Sequence, residues 1–201
     1  MPQRIIISGG TGFIGKALIE NLSKDGYECI VLSRNPEKKM NLNAEIVKWD
    51  ARCGEGWSQY ADGALAIINL TGDNIGTGRW TKNKKRLIIE SRTMAANAVI
   101  DALKRVKNKP SVVIQPSGVG YYGNRGAEIL NESSAAGTGY MVEVAQKWEQ
   151  SIKKVAAMGI RLVTIRIGVV LGKGGGFLSR VQLPFRFFMG GHLGSGAQWI
   201  S

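Results

Sequence analysis

Cysteine, histidine, acidic residues and long apolar runs are all scarce in this 201-residue chain. Cys29 and Cys53 are too few for a disulfide framework. Cys29 falls in an expected buried strand, so both read as free thiols of a reducing cytoplasm. His192 is the only histidine, and it lies in a glycine-rich tail where a solitary imidazole is not read as a general base. No Cys, His or carboxylate cluster has metal-ligand spacing, so no metal is expected. No segment is apolar and long enough to span a bilayer. The first residues lack a basic flank and run straight into a strand, which argues against a signal peptide. Acidic residues number 15 against 27 basic ones, a formal net charge of +12. The basic residues cluster at Lys82, Lys84, Lys85 and Arg86, and again at Lys104, Arg105, Lys107 and Lys109. These runs flank one expected helix and read as its solvated ends. No helix-turn-helix, zinc-finger or RNA-binding signature accompanies them, so no nucleic-acid partner is expected. A positive field that attracts an anionic substrate or cofactor is the more economical account.

The most telling segment comes first. Arg4-Ile5-Ile6-Ile7-Ser8 reads as a strand, Gly9-Gly10-Thr11-Gly12-Phe13-Ile14-Gly15 as a loop, and Lys16 onward as a helix. Gly9 permits the tight turn out of the strand. Gly12, lacking a Cβ, lets a pyrophosphate approach the backbone, and Gly15 lets the helix pack close to the sheet. The helix N-terminus then offers free N–H groups and partial positive charge to phosphates. Gly9, Thr11, Gly12, Phe13, Ile14 and Gly15 are therefore the expected contacts of a dinucleotide.

Strands and helices alternate along the rest of the chain. Strands are expected at 4–8, 27–33, 45–49, 64–70, 111–115 and 162–167, and helices at 12–24, 81–106 and 140–157. The long helix 81–106 carries Leu87, Met94, Ala95, Ala98, Val99, Ala102, Leu103 and Val106 on one face. Helix 140–157 carries Met141, Val144, Ala145, Trp148, Ile152 and Val155, with Gly159 ending it. The strands are continuous apolar runs, as parallel strands covered on both faces should be. The pattern predicts an α/β fold: a Rossmann-type doubly wound parallel sheet with helices on both faces. After Gly168 the alternation breaks. Residues 172–176 read as a flexible glycine loop, 183–191 as an aromatic and basic stretch, and the chain ends at Gln198-Trp199-Ile200-Ser201 in mid-pattern. The expected division is a dinucleotide domain over 1–170 and the start of a substrate-binding region over 171–201.

The glycine loop, the Ser117-Gly118-Val119-Gly120-Tyr121-Tyr122-Gly123 run and the six-strand order resemble an extended short-chain dehydrogenase/reductase. The chain is more specifically similar to the NAD-dependent epimerase/dehydratase family, in the branch of cell-division inhibitor-like epimerases. The resembling stretches are 8–15, 32–36, 68–75, 79–81, 91–92, 117–123, 147–149, 166–172 and 194–201. Family members continue for about another hundred residues, enough for a small C-terminal substrate domain, so the resemblance implies a truncated member.

Strand two ends in Leu32-Ser33-Arg34-Asn35, with no carboxylate to hold a ribose 2′-hydroxyl. Ser33 can donate to a 2′-phosphate and Arg34 can pair with it, which favours NADP(H) over NAD(H). A surface Ser-Arg before the Pro36 turn is the other account of this pair. Asp50 is open between an adenine contact and a turn cap. The resemblance implies that Leu70, Thr71 and Gly72 line the second ribose, with Arg166 and Gly168 at the nicotinamide end.

Short-chain dehydrogenases use a Ser or Thr after strand five and a Tyr-x-x-x-Lys on the next helix, where the lysine lowers the pKa of the tyrosine. Ser117 fits the serine position and Tyr140 the tyrosine position, but Val144 stands where the lysine should be. Lys147 is seven residues on from Tyr140, about 10 Å along the helix. Tyr140 is thus open between a catalytic and a packing role. Tyr121 is a second candidate phenol, while Tyr122 is expected to pack under the loop. Arg79, Trp80, Arg186 and Trp199 are open between shaping a substrate pocket and ordinary packing. The expectation is an NADP(H)-dependent oxidoreductase or a sugar-nucleotide epimerase/dehydratase-like protein, acting on a small or nucleotide-linked carbonyl or alcohol, with homo-oligomerisation open. A cofactor-binding sensor or interaction protein without turnover is the competing class, favoured by the absent lysine.

Overall fold

The computed structural model describes residues 2–37, 41–192, 194–197 and 199. Six strands form one parallel sheet: β1 (Arg4–Ser8), β2 (Glu28–Ser33), β3 (Glu45–Lys48), β4 (Ala66–Asn69), β5 (Val112–Gly118) and β6 (Arg161–Ile167). Their spatial order is β3-β2-β1-β4-β5-β6, reversing direction beside β1. Such a reversal opens a crevice at the carboxyl ends of the central strands. The helices are α1 (Phe13–Lys24), α2 (Ser58–Ala61), α3 (Lys82–Arg105), α4 (Tyr140–Ile152) and α5 (Gly176–Arg186). None among the described residues is long and apolar enough to cross a membrane.

Alternation along the strands builds two cores. Ile6, Ile30, Leu32 and Val113 face α3 and α4, meeting Ala95, Val99, Leu103 and Ile152. Ile5, Ile7, Val31 and Ile68 face the opposite way and bury Ile19 of α1. Helices thus lie on both faces of the sheet. β6 departs from the expectation of full coverage: Leu162 packs on the α3–α4 core, whereas Ile165 stays 44% exposed.

Thr81 caps α3, its Oγ1 accepting from the Lys84 N–H at 3.2 Å. The buried stripe runs as expected from Ala95 to Leu103, but Leu87 points outward and Ile88 and Arg92 point in. α4 ends earlier than expected and continues as a 3-10 turn, Lys153–Met158, closed by Gly159 at φ +76°.

Two segments depart further from expectation. α5, hidden in sequence by Pro184 and a run of glycines, is a helix with no buried residue. The glycines before it are not a loose tether, because the Phe13 ring lies against them. A Cβ at Gly172, Gly175 or Gly176 would stand 2.7–2.9 Å from that ring. Of the terminal stretch read as mid-pattern, Gln198, Ile200 and Ser201 lie outside the described residues, and Trp199 is 82% exposed.

Candidate functional site: a trough across the strand ends

The loop after β1 is shaped by close contacts. Gly9 sits at φ +70°, and a Cβ there would strike the Leu70 carbonyl group at 2.8 Å. A Cβ on Gly15 would stand 2.5 Å from the Gly10 Cα, so α1 is pressed onto its own loop rather than onto a strand. At Gly12 the only neighbour of such a Cβ is the Gly9 carbonyl oxygen at 3.2 Å; the rest is open. Gly12 is the N-cap of α1, no side chain caps that end, and its first turn holds no acid. The amide groups there are left for a ligand.

Beneath the crevice a buried polar chain ties three strand ends together. Ser8 Oγ donates to Asn69 Oδ1 at 2.7 Å, Asn69 Nδ2 to Gln115 Oε1 at 2.9 Å, and Gln115 Nε2 to the Pro116 carbonyl at 3.0 Å. The chain fixes β1, β4 and β5 relative to one another under the site.

Two connected cavities lie above it, about 670 and 750 Å³, sharing Gly9, Gly12 and Leu70. The outer one is lined by Thr11, Lys16, Ser33, Arg34, Thr71 and Gly72. Arg34 is exposed, and Ser33 Oγ accepts from the Asn35 N–H at 3.2 Å. The inner one is lined by Phe13, Ile14, Gly15, Ser117, Gly168 and residues of α3, α4 and α5. Most of the expected contacts thus meet in one trough.

Four buried side-chain polar atoms among the described residues have no hydrogen-bond partner: Thr71 Oγ1, Arg92 Nε, Ser117 Oγ and Trp148 Nε1. All four residues line this trough. Buried polar groups are nearly always paired, so their concentration here marks a binding site.

Four expected site residues, Asp50, Arg166, Tyr121 and Tyr140, are placed elsewhere. Asp50 caps a turn: its Oδ1 accepts from the N–H groups of Arg52 at 2.8 Å and Cys53 at 3.4 Å. That turn lifts the Cys53 carbonyl to the indole N–H groups of Trp49 and Trp57, at 3.1 and 2.9 Å. Arg166 does not line the trough. Its guanidinium grips both oxygens of Glu149 at 2.9 and 3.1 Å, donates to Tyr122 Oη at 3.0 Å, and lies 3.5 Å over the Tyr121 ring. Tyr121 is therefore a platform for Arg166 rather than a phenol aimed at a substrate. Tyr122 is buried as expected, donating to the Asn131 carbonyl at 2.9 Å. Burial alone would raise the Glu149 carboxyl, but Arg166, helped by Ser117, holds it below the usual range. The Ser117 hydroxyl lies near that carboxylate without making a well-formed hydrogen bond.

Tyr140, open between catalysis and packing, sits in a packing position. Its hydroxyl donates to the Lys85 carbonyl at 2.7 Å, its ring meets Trp80 edge-on at 5.4 Å, and burial raises its pKa. The phenol faces α3, not the trough. Lys147 pairs with Glu143 on the exposed side of α4 at 2.6 Å. The face of α4 that lines the trough is Met141, Val144, Ala145 and Trp148. It offers one indole N–H and neither a phenol nor an ammonium. Trp80 gives its indole N–H to the Ile75 carbonyl at 2.8 Å. Arg79, Arg186 and Trp199 do not line the trough either; Ile75, Phe177 and Arg180 do.

Arg92 was the residue missed. A charged side chain four residues after Ile88 and seven before Val99, inside an apolar stripe, is the signal that pointed to it. It is 8% exposed, and burial lowers its pKa.

A glycine loop opening a helix, at the reversal of a six-stranded parallel sheet and beside a trough of this kind, defines the class of dinucleotide-binding Rossmann domains. The chain belongs to the NAD dependent epimerase/dehydratase family, whose model matches residues 5–185. It is 37% identical to the epimerase family protein YfhF of Bacillus subtilis over 99% of this chain and 65% of that protein. It is 36% identical to a chloroplastic epimerase family protein, the SDR39U1 homolog of Arabidopsis thaliana, over 98% of this chain and 57% of that one. Among solved structures, the human epimerase family protein SDR39U1 (isoform 2), crystallised with NADPH, superposes with a TM-score of 0.83 at 29% identity. That match covers 98% of this chain and 64% of the human one. The chain thus spans less than two thirds of the length of these relatives.

Proposed function

We propose that this chain binds NADP(H) in preference to NAD(H) along the trough and serves hydride transfer to or from a small carbonyl or alcohol carbon held near Ser117. The observation that carries this reading is the gathering of every buried unpartnered polar side-chain atom, among the described residues, along one trough that starts at the glycine loop. The fit to a dinucleotide is physical. Bare backbone at Gly12 and the uncapped start of α1 suit a pyrophosphate. Lys16, Ser33 and Arg34 line the outer end with no acid among the cavity-lining residues, which suits a 2′-phosphate. Thr71 Oγ1 is free to bond a ribose. The relative crystallised with NADPH supports the same preference. When bound, the nicotinamide supplies the hydride-carrying carbon; the chain positions it and shields it from water.

Residues 171–201 open the substrate-binding region in this reading, since Phe177, Ser179 and Arg180 of α5 line the inner cavity. A second reading is favoured by the apolar face of α4: binding of the cofactor without general acid catalysis, as a sensor or an assembly partner. Separate fluorescence titrations with NADPH and NADH test the first reading, repeated on Arg34→Ala. Loss of one charge-assisted contact of about 1.5–3 kcal/mol predicts at least tenfold weaker NADPH binding and unchanged NADH binding. Equal binding of both nucleotides by the natural chain would overturn the preference. Tight NADPH binding without oxidation by any of a panel of aldehydes and ketones would favour the second reading.

A further inference from the structure

Arg92 is held with unusual economy. Its Nη1 donates to the carbonyl oxygens of Ile88 at 2.8 Å and Asp73 at 3.1 Å. The Trp148 ring lies over its guanidinium at 4.8 Å. A Cβ on Gly72 would come within 2.9 Å of its Cζ, so bare backbone is required there. The cation is thereby fixed in place and orientation, yet its Nε has no partner. Among the described residues no carboxylate is in ion-pair contact with it: that of Asp73 is close enough to act on it as a charge but is paired with Lys84. A guanidinium withdrawn from water without a carboxylate bonded to it is costly. A preformed socket for an anion explains why it is kept.

The rest of the inner cavity says what carries that anion. Arg92 and Arg180 are the charged side chains that line it, and no Asp or Glu does. Ser117 Oγ and Trp148 Nε1 are further buried groups without partners in the same walls. Asn74 and Ser179 add two polar side chains, and the other walls are largely apolar, among them Phe13, Ile75, Met141, Val144, Val170 and Phe177. Most of the hydroxyls of a sugar placed against the apolar walls would lose water without gaining partners. Of the two cations only Arg92 is buried, Arg180 being exposed, so the enclosed part of the chamber matches a monoanion better than a phosphate dianion.

We infer that the inner cavity is a subsite for an apolar carboxylic acid, whose carboxylate pairs with Arg92 while its hydrocarbon body lies on the α4 wall. This rests on the reading above that the dinucleotide lies along the trough with its 2′-phosphate end in the outer cavity, and it narrows the substrate to a carbonyl or alcohol bearing a carboxylate.

Calorimetric titration with benzoate, methyl benzoate and phenyl phosphate tests it, with and without saturating NADPH, on the natural chain, Arg92→Met and Arg92→Lys. Benzoate should bind at least tenfold tighter than its neutral ester, and tighter than phenyl phosphate. Arg92→Met should lose at least tenfold in benzoate affinity, Arg92→Lys should lie between, and in both the loss should be larger for benzoate than for NADPH. If Arg92→Met does not fold, Arg92→Lys and the benzoate-to-ester ratio decide. Equal binding of benzoate and ester, tighter binding of phenyl phosphate, or NADPH affinity lost in Arg92→Lys with benzoate affinity retained would each overturn the inference. NADPH failing to bind while the benzoate preference persists would instead overturn the dinucleotide reading and leave the carboxylate socket standing.

Discussion

Arg166 on β6 and Glu149 on α4 form a two-pronged ion pair, with Nε and Nη2 at 2.9 and 3.1 Å from the two carboxylate oxygens. Both side chains are largely buried, 18% and 14% exposed. The pair locks the last strand to the helix that walls the trough, and Tyr121 and Tyr122 close around the guanidinium.

Glu149→Gln removes one partner and leaves a largely buried cation, which should cost on the order of 3 kcal/mol at neutral pH. The carboxyl is held below its usual range in the folded chain. Its stabilisation is therefore fully present above the unfolded pKa, about 4.3, and is lost as pH falls through the lower folded value. Urea denaturation from pH 8 downward should show a constant gap between natural chain and variant to about pH 5, narrowing in stronger acid. A gap independent of pH to the acid limit would refute the pairing.

Tyr140→Phe should cost about 1 kcal/mol of stability, through the lost bond to the Lys85 carbonyl, and leave NADPH affinity untouched. Val144→Lys should not awaken the phenol, because the new ammonium enters the trough while the hydroxyl faces α3. The pair Met141→Tyr and Ala145→Lys sits one turn apart on the trough face. It should raise carbonyl reduction, with general acid catalysis worth roughly 100-fold at best in an unoptimised site. NADPH oxidation followed with a panel of aldehydes and ketones checks both; a rise in Val144→Lys alone would return Tyr140 to the site.

Gly12→Ala and Gly15→Ala should separate binding from folding. At Gly15 the new methyl meets Gly10 backbone at 2.5–2.7 Å, a clash that should cost about 1–3 kcal/mol and lower the melting temperature. At Gly12 it meets one oxygen at 3.2 Å, so melting should move little while NADPH affinity falls more than tenfold. Equal loss of stability in both variants would argue against the division of labour in the loop.

Gln115→Leu breaks the polar chain under the trough and leaves Asn69 Nδ2 without its acceptor. The expected cost is about 1–3 kcal/mol for an unpaired buried donor, measured by chemical denaturation. An effect below about 0.5 kcal/mol would mean the chain contributes little to holding β1, β4 and β5 in register.

Most of the sheet and its glycine loop were legible in the residues, because both are local. Apolar runs such as 4–8 and 64–70 have the length and composition of buried strands, and Gly9, Gly12 and Gly15 each answer a steric demand set within a few residues of themselves. α5 was not legible: a proline and a string of glycines argue against a helix locally, and the glycines are explained only by the Phe13 ring laid across them. Which way Tyr140 faces was not legible either, for a similar reason. Spacing along a helix places a residue on a face, but which face meets the trough depends on how α4 packs against α3 and β5. That packing turns Met141 and Ala145 inward and leaves Tyr140 bonded to Lys85.

The order of strands, the glycine loop and the absence of an acid after β2 are properties of the chain read in one dimension, since hydrophobic period and backbone sterics act over a few residues. The use of its arginines was decided in three dimensions. Arg34, Arg92 and Arg166 are alike in sequence, but one is exposed at the outer end of the trough, one is buried without a carboxylate, and one is spent on Glu149. The energy of a charge depends on what surrounds it, and here those surroundings are assembled from segments far apart along the chain.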